Sequence, residues 1–126
     1  MYDIIIIGAG VTGSFIAREL ARYKLNVLVL EKDFDVGNET TAANSAIVHS
    51  GYDPVPGTLK AKLNVEGNRM FDKVCDELDV SFKRIGSITV ALDEAQMETL
   101  KALQERAKEN GVETILLNRE ELLEKE

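Results

Sequence analysis

The 126 residues hold one cysteine, one histidine, two prolines and no tryptophan. Each shortage narrows the field. A lone Cys75 cannot close an internal disulfide, so a disulfide-stapled scaffold is excluded and a reducing compartment fits. One histidine and one cysteine cannot furnish the ligand set of a structural zinc site, and no other metal-ligand pattern stands out. No apolar run approaches the roughly 18–20 residues that a membrane span needs. Basic residues are scarce as well: 15 Lys and Arg against 22 Asp and Glu leave a net charge of -7. Nucleic-acid binding rests on a basic footprint, so no nucleic-acid partner is expected. The start of the chain has no basic segment, and Ile4-Ile5-Ile6-Ile7 is too short for a signal peptide's apolar region. The chain therefore reads as cytoplasmic, with peripheral membrane contact left open.

What is present is ordinary for a globule. With 44% hydrophobic and 29% charged residues, the composition is too apolar for intrinsic disorder. The length suits one domain, able to bury on the order of two-thirds of its unfolded surface.

Periodicity divides the chain. Ile4 to Ile7, closed by Gly8, reads as a strand apolar on both faces, which belongs inside a parallel sheet covered by helices. Residues 11–23 read as a helix, with Gly13, Ile16, Ala17 and Leu20 recurring on one face. Asn26 to Leu30 is a second strand, closed by Glu31. Strand, helix and strand in about 30 residues make one right-handed βαβ unit. From Asp33 to Gly57 the periodicity disappears into glycine, asparagine, threonine and both prolines. A loop of that length is usually functional or disordered; Ala46-Ile47-Val48-His49 is apolar enough to pack, which favours an ordered loop with a short helix or strand. A helix of about five turns follows from Thr58, carrying Leu63, Gly67, Phe71, Val74 and Leu78, with Cys75 on its apolar side. Ile85 to Leu92 alternates as a strand. Asp93 and Gln96 start a helix that stops at Gly111, Val112 to Leu117 is a further short strand, and Asn118 with Glu121 caps a last helix. Two parallel strands need more strands to bury both faces, so the residues are expected to be the N-terminal part of a longer protein.

Chemistry concentrates near the start. Gly8-Ala9-Gly10-Val11-Thr12-Gly13 is a GxGxxG, weak alone. Here it lies between strand and helix, within a βαβ unit, with an acid ending the second strand; that context makes it a dinucleotide-binding fingerprint. Gly8 permits the tight turn, Gly10 lets the backbone approach a pyrophosphate, and Gly13 lets the helix lie close to the sheet. The helix's free N–H groups and positive end then hold the phosphate charge. Glu31, 18 residues after Gly13, can accept hydrogen bonds from a ribose diol and would repel a 2′-phosphate. FAD and NAD share the ADP moiety, so the fingerprint does not separate them. The polar stretch Asn38 to Ser45 leaves the topology expected of an NAD unit and offers small hydroxyl and amide groups to a flavin cofactor.

Further on, Thr40-Thr41-x-x-Asn44-Ser45-x-Ile47-Val48-His49-Ser50-Gly51, then Pro56-Gly57-Thr58-Leu59-Lys60-Ala61 and Glu66-Gly67, resembles FAD-dependent oxidoreductases of the D-amino-acid-oxidase type. Within that superfamily the chain is similar to the branch holding glycerol-3-phosphate dehydrogenase and L-2-hydroxyglutarate dehydrogenase or oxidase. The likeness covers essentially the whole chain. It implies an α/β fold: an N-terminal Rossmann-like βαβ FAD-binding unit with an incomplete sheet over residues 1–80, then the beginning of an α+β substrate domain over 81–126. It implies FAD as cofactor, with Gly8, Gly10, Val11, Thr12, Gly13, Glu31 and Lys32 at its ADP half. It further implies that Thr40, Thr41, Asn44 and Ser45 approach the pyrophosphate and flavin end, with His49 near the isoalloxazine as the candidate catalytic group. The implied reaction oxidises a hydroxyl-bearing carbon by hydride transfer, on a small anionic hydroxy substrate, with an electron-acceptor or membrane partner. The 126 residues alone are not expected to be active, because the rest of the parent chain would complete the fold. Ala46 departs from the pattern, since relatives often carry glycine there.

Other readings stand beside these. His49 could be a loop histidine satisfied by backbone hydrogen bonds, although its imidazole suits proton transfer near neutrality. Lys60 and Lys62 could attract an anion, but surface lysines are ordinarily solvated. A non-catalytic NAD-binding module is the rival of another class, expected to bind NAD and ignore FAD.

Overall fold

Branched side chains set the first elements. In the computed structural model, which describes residues 1–125, Ile4–Ile7 forms β1, Val11–Leu20 forms α1 and Val27–Leu30 forms β2. The strands pair in parallel, Ile4 opposite Val27 through Ile7 opposite Leu30, as a βαβ unit requires. Asp3 fixes the lower end of this ladder: its carboxylate accepts from the Asn26 N–H at 2.8 Å and from Asn26 Nδ2 at 3.2 Å. At the upper end the Gly8 N–H donates to the Leu30 carbonyl at 2.7 Å. Helix α1 ends three residues before its pattern suggested. The Arg22 and Tyr23 N–H groups reach back three residues, to the carbonyls of Glu19 and Leu20, and this tightening closes the helix.

Three helices follow: α2 over Leu59–Glu77, α3 over Glu94–Glu109 and α4 over Arg119–Lys125. Their starts match their sequences. Thr58 accepts the Ala61 N–H at 3.2 Å, and Asp93 accepts the Gln96 N–H at 2.8 Å. Asn118 and Glu121 cap α4 reciprocally, each side chain accepting the other's backbone N–H. Helix α3 closes on Gly111 at φ 73, with the Val112 N–H reaching the Ala107 carbonyl. Helix α2 closes in the same way on Asp79, at φ 53. Ala61, Val65, Val74, Cys75 and Ala107 are the buried residues of α2 and α3, so Cys75 is a core side chain.

The chain divides into two compact units, Met1–Ile47 and a second that begins at Val48. The sequence had suggested a boundary at 80/81, between domain parts rather than compact units; Glu126, at the end of the 81–126 assignment, lies outside the described residues.

Three expectations need correction. Residues 85–92, which alternate, and 112–117 were both expected as strands, yet the sheet of the described residues contains only β1 and β2. A period of two supplies a face, but a strand exists only when a partner accepts its ladder of hydrogen bonds. Ile85 and Leu92 accordingly stand 87% and 85% exposed. The loop from Asp33 to Gly57 contains turns and bends, and the apolar quartet 46–49 forms neither helix nor strand. Nor is the sheet covered on both faces: Ile6 is buried, whereas Ile5 and Ile7 are exposed. The solvent-accessible area, 10380 Å², exceeds the roughly 8,000 Å² that two separate globules of these lengths would show together. Much apolar surface thus has no covering layer among the described residues. No helix among them is long and apolar enough to cross a membrane.

Candidate cofactor-binding site

The turn from β1 into α1 depends on glycine at three points, each for its own reason. Gly8 has φ +98, a left-handed conformation that disfavours side chains. A Cβ on Gly13 would stand 2.0 Å from the Gly8 carbonyl oxygen, so this first turn of the helix is packed backbone against backbone. A Cβ on Gly10 would meet Thr41 Oγ1 at 3.0 Å.

The helix start is open to an anion. Gly10 serves as N-cap without a side chain, and the first turn carries no acidic residue. The first N–H groups of any helix lack intrahelical acceptors and carry its positive end. Here the Val11 N–H donates to Thr41 Oγ1 at 3.0 Å, across 30 residues of sequence. The threonine hydroxyl thus lies where the fingerprint leads a phosphate oxygen to be expected, and it can donate to such an oxygen in turn. Thr12 is exposed on the same first turn.

Glu31 ends β2 and folds back onto the turn. Its Oε2 accepts the Ala9 N–H at 2.7 Å, while Oε1 accepts the N–H groups of Lys32 at 2.7 Å and Asp33 at 3.1 Å. The Ala9 N–H foremost, then that of Asp33, hold the carboxyl below its ordinary value against the opposing effect of desolvation, with lesser help from the Lys32 N–H and charge. An ionised carboxylate has about four lone-pair sites, so three bonds leave capacity for roughly one further donor. A second ribose hydroxyl would need one of the present bonds to give way. Lys32 points elsewhere: its Nζ pairs with Glu39 at 2.6 Å, which raises the lysine pKa.

The polar loop completes this unit. The Gly37 N–H donates to the Ala9 carbonyl at 3.0 Å, tying the loop to the glycine turn. Asn44 Nδ2 donates to the Thr41 carbonyl at 2.8 Å, and Asn44 Oδ1 accepts the Ala46 N–H at 2.7 Å. Thr40 and Ser45 are exposed. Ala46 has φ 54, the left-handed region where glycine costs least, which accounts for glycine being the expected residue there.

The structure therefore gathers Gly8, Gly10, Val11, Gly13, Glu31 and Thr41 about one turn, with Asn44 holding the Thr41 backbone. His49 belongs to the other unit, where its ring is exposed and its carbonyl accepts Asn68 Nδ2 at 3.0 Å. Ala9 and Gly37 went unnoticed in the sequence. Ala9 is buried, its N–H meets Glu31 and its carbonyl meets Gly37, but an alanine between two glycines carries no signal of such a role.

A glycine turn with no room for a Cβ at Gly13, a helix start whose N-cap residue brings no side chain and an ionised carboxylate at the next strand's end define a nucleotide-binding βαβ unit. Residues 3–126 match the family model described as FAD dependent oxidoreductase, and the chain belongs to that family. It is 58% identical over 125 residues to a glycerol 3-phosphate dehydrogenase of Caloramator mitchellensis, covering 98% of this chain and 26% of that protein. It is 38% identical over 128 residues to an L-2-hydroxyglutarate dehydrogenase of Escherichia coli, covering 100% of this chain and 30% of the relative. Among solved structures it is similar to dithionite-reduced L-alpha-glycerophosphate oxidase from Mycoplasma pneumoniae with FAD bound. That likeness has a TM-score of 0.85 and 33% identity, over 98% of this chain and 33% of the other. The chain thus spans about a quarter to a third of the length of these relatives.

Proposed function

We propose that this chain supplies the FAD-binding start of an oxidoreductase that oxidises a hydroxyl-bearing carbon of a small anionic substrate, with glycerol 3-phosphate the favoured one. The observation that carries the cofactor is the turn at Gly8, Gly10 and Gly13 with Glu31 ionised beside it. The identity to a glycerol 3-phosphate dehydrogenase, 58% against 38% for the 2-hydroxyglutarate enzyme, supports the substrate. L-2-hydroxyglutarate is the second reading. Family membership speaks for FAD over the NAD-module alternative.

The residues divide the work. Gly10, Thr12 and Gly13 present N–H groups and the helix's positive end to the pyrophosphate, while Val11 acts through Thr41, whose hydroxyl takes its N–H and can donate onward. Glu31 accepts from the ribose, and its charge disfavours a 2′-phosphate. Lys32, Thr40, Asn44 and Ser45 are assigned to the same cofactor's periphery. His49 is assigned to its redox end, where a neutral imidazole can take the proton of the substrate hydroxyl. When bound, the flavin supplies the two-electron oxidation, while the protein binds and orients it. In this proposal residues 1–80 belong to the FAD domain and 81–126 open the substrate domain; the remaining strands, the substrate-recognising groups and the electron acceptor are contributed by further residues or partners.

Anaerobic reduction tests it. The FAD-loaded polypeptide that carries this sequence is expected to lose its visible flavin absorbance on mixing with glycerol 3-phosphate. Bleaching by L-2-hydroxyglutarate alone would install the second reading.

A further inference from the structure

Residues 49–54 lie in no helix or strand, yet four of their backbone carbonyls are taken by side chains from α2, α3 and the residue capping α3, Asn110. Asn68 Nδ2 donates to the His49 carbonyl at 3.0 Å. Asn110 Nδ2 donates to the carbonyls of Gly51 at 3.0 Å and Pro54 at 2.9 Å, and Arg106 Nη1 donates to that of Asp53 at 2.8 Å. The backbone that carries His49 is thus held from outside.

Asn68 does not choose its orientation alone. A primary amide can present either its oxygen or its nitrogen. Arg84 Nη1 donates to Asn68 Oδ1 at 2.8 Å, and Nη2 donates to the Asn68 carbonyl at 2.7 Å. With its oxygen claimed, the amide must turn its nitrogen towards His49. Arg84 is fixed in turn: its Nε donates to Asp72 at 2.7 and 3.0 Å, and its guanidinium lies 5.3 Å from the Phe82 ring centre. Only a planar fork of donors can serve both partners at once, which a lysine cannot imitate. Meanwhile the His49 ring is exposed and, among the described residues, makes no hydrogen bond of its own. A structural histidine would use its ring to hold the fold; here the peptide is held and the ring is left available.

We infer that Asn68, oriented by Arg84, is a positioning residue that fixes the His49 peptide and with it the Cα–Cβ direction along which the free imidazole leaves the backbone. This rests on the assignment of His49 to the redox end of the flavin.

Two measurements on the same variants test it. In the free protein, ¹⁵N relaxation at His49 and Ser50 is expected to give order parameters near 0.85, falling below about 0.6 in Asn68→Ala and partway in Arg84→Lys. In the FAD-loaded protein, Asn68→Ala is expected to lower kcat on the order of tenfold with KM little changed, and to have no further effect in a His49→Ala background. Asn110→Ala, which frees Gly51 and Pro54 but not His49, should lower the unfolding midpoint and leave that coupling absent. Unchanged order parameters in both variants would overturn the inference, as would an Asn68→Ala loss that adds fully to that of His49→Ala. Failure of the wild-type protein to bind FAD would instead retire the flavin assignment, and the relaxation result would still decide whether Asn68 orders His49.

Discussion

In Met1–Ile47 the central turn is fixed by backbone against backbone, with the Gly13 Cα so close to the Gly8 carbonyl that no side chain fits. In the unit from Val48, the loop bearing His49 is fixed by side chains that reach from helices to its carbonyls. The two constructions respond differently to change. A backbone-built turn tolerates no added atom where its chain segments touch, at Gly13, even though Glu31 and Thr41 also bond to it from further along the chain. A side-chain clamp tolerates substitution within the loop and fails when one distant donor is lost. The first suits holding a charge with N–H groups; the second suits fixing the backbone from which a side chain departs.

Four substitutions sharpen this contrast. Gly13→Ala should have the largest effect, because its Cβ would sit 2.0 Å from a backbone oxygen that cannot swing aside. A cost of about 3 kcal/mol or more is expected by denaturant unfolding, with loss of nucleotide binding. Gly51→Ala should cost less, about 1–3 kcal/mol. There the added Cβ meets Val65 Cγ2 at 2.6 Å, a side-chain atom, although φ of +95 adds strain. If Gly51→Ala proved the costlier, the contrast would fail.

Glu31→Gln keeps the shape but loses the charge, and should weaken FAD binding roughly tenfold by titration. Its pH behaviour follows from the same bonds. Because the native carboxyl is held below its ordinary value, its contribution is fully present above the unfolded-state pKa and is lost as pH falls through the native one. The glycine turn should therefore be insensitive to pH near neutrality and loosen only below the ordinary glutamate range; Glu31→Gln should abolish that acid limb. Thr41→Val should be mildest, about 1 kcal/mol from the lost acceptor at the Val11 N–H.

The sequence made the backbone-built region readable because its rules are local. Glycine spacing, a four-isoleucine run and an acid at the second strand's end specify the turn without knowledge of anything distant. The caps of α3 and α4 were legible for the same reason, each lying within three residues of its donor. What escaped is non-local. The alternation at 85–92 shows two faces but cannot name the strand that would pair with it. Thr41 was assigned to the cofactor, yet nothing in its neighbours told that it would cap α1 from 30 residues away. Arg106 and Asn110 sit at the end of a helix whose sequence reports its period and cap, not the loop whose carbonyls it binds. Arg84 and Asn68 carry no motif at all. The departure at Ala46 was legible as a missing glycine, and its positive φ supplies the physical meaning.

The central claim is that the turn at Gly8–Gly13 with Glu31 holds FAD. Its most direct test is a titration of the protein with FAD and, separately, with NAD, followed by flavin fluorescence and by calorimetry. Saturable FAD binding that weakens in both Gly10→Val and Glu31→Ala is the predicted result. Binding of NAD without FAD, or FAD binding indifferent to both substitutions, would contradict it.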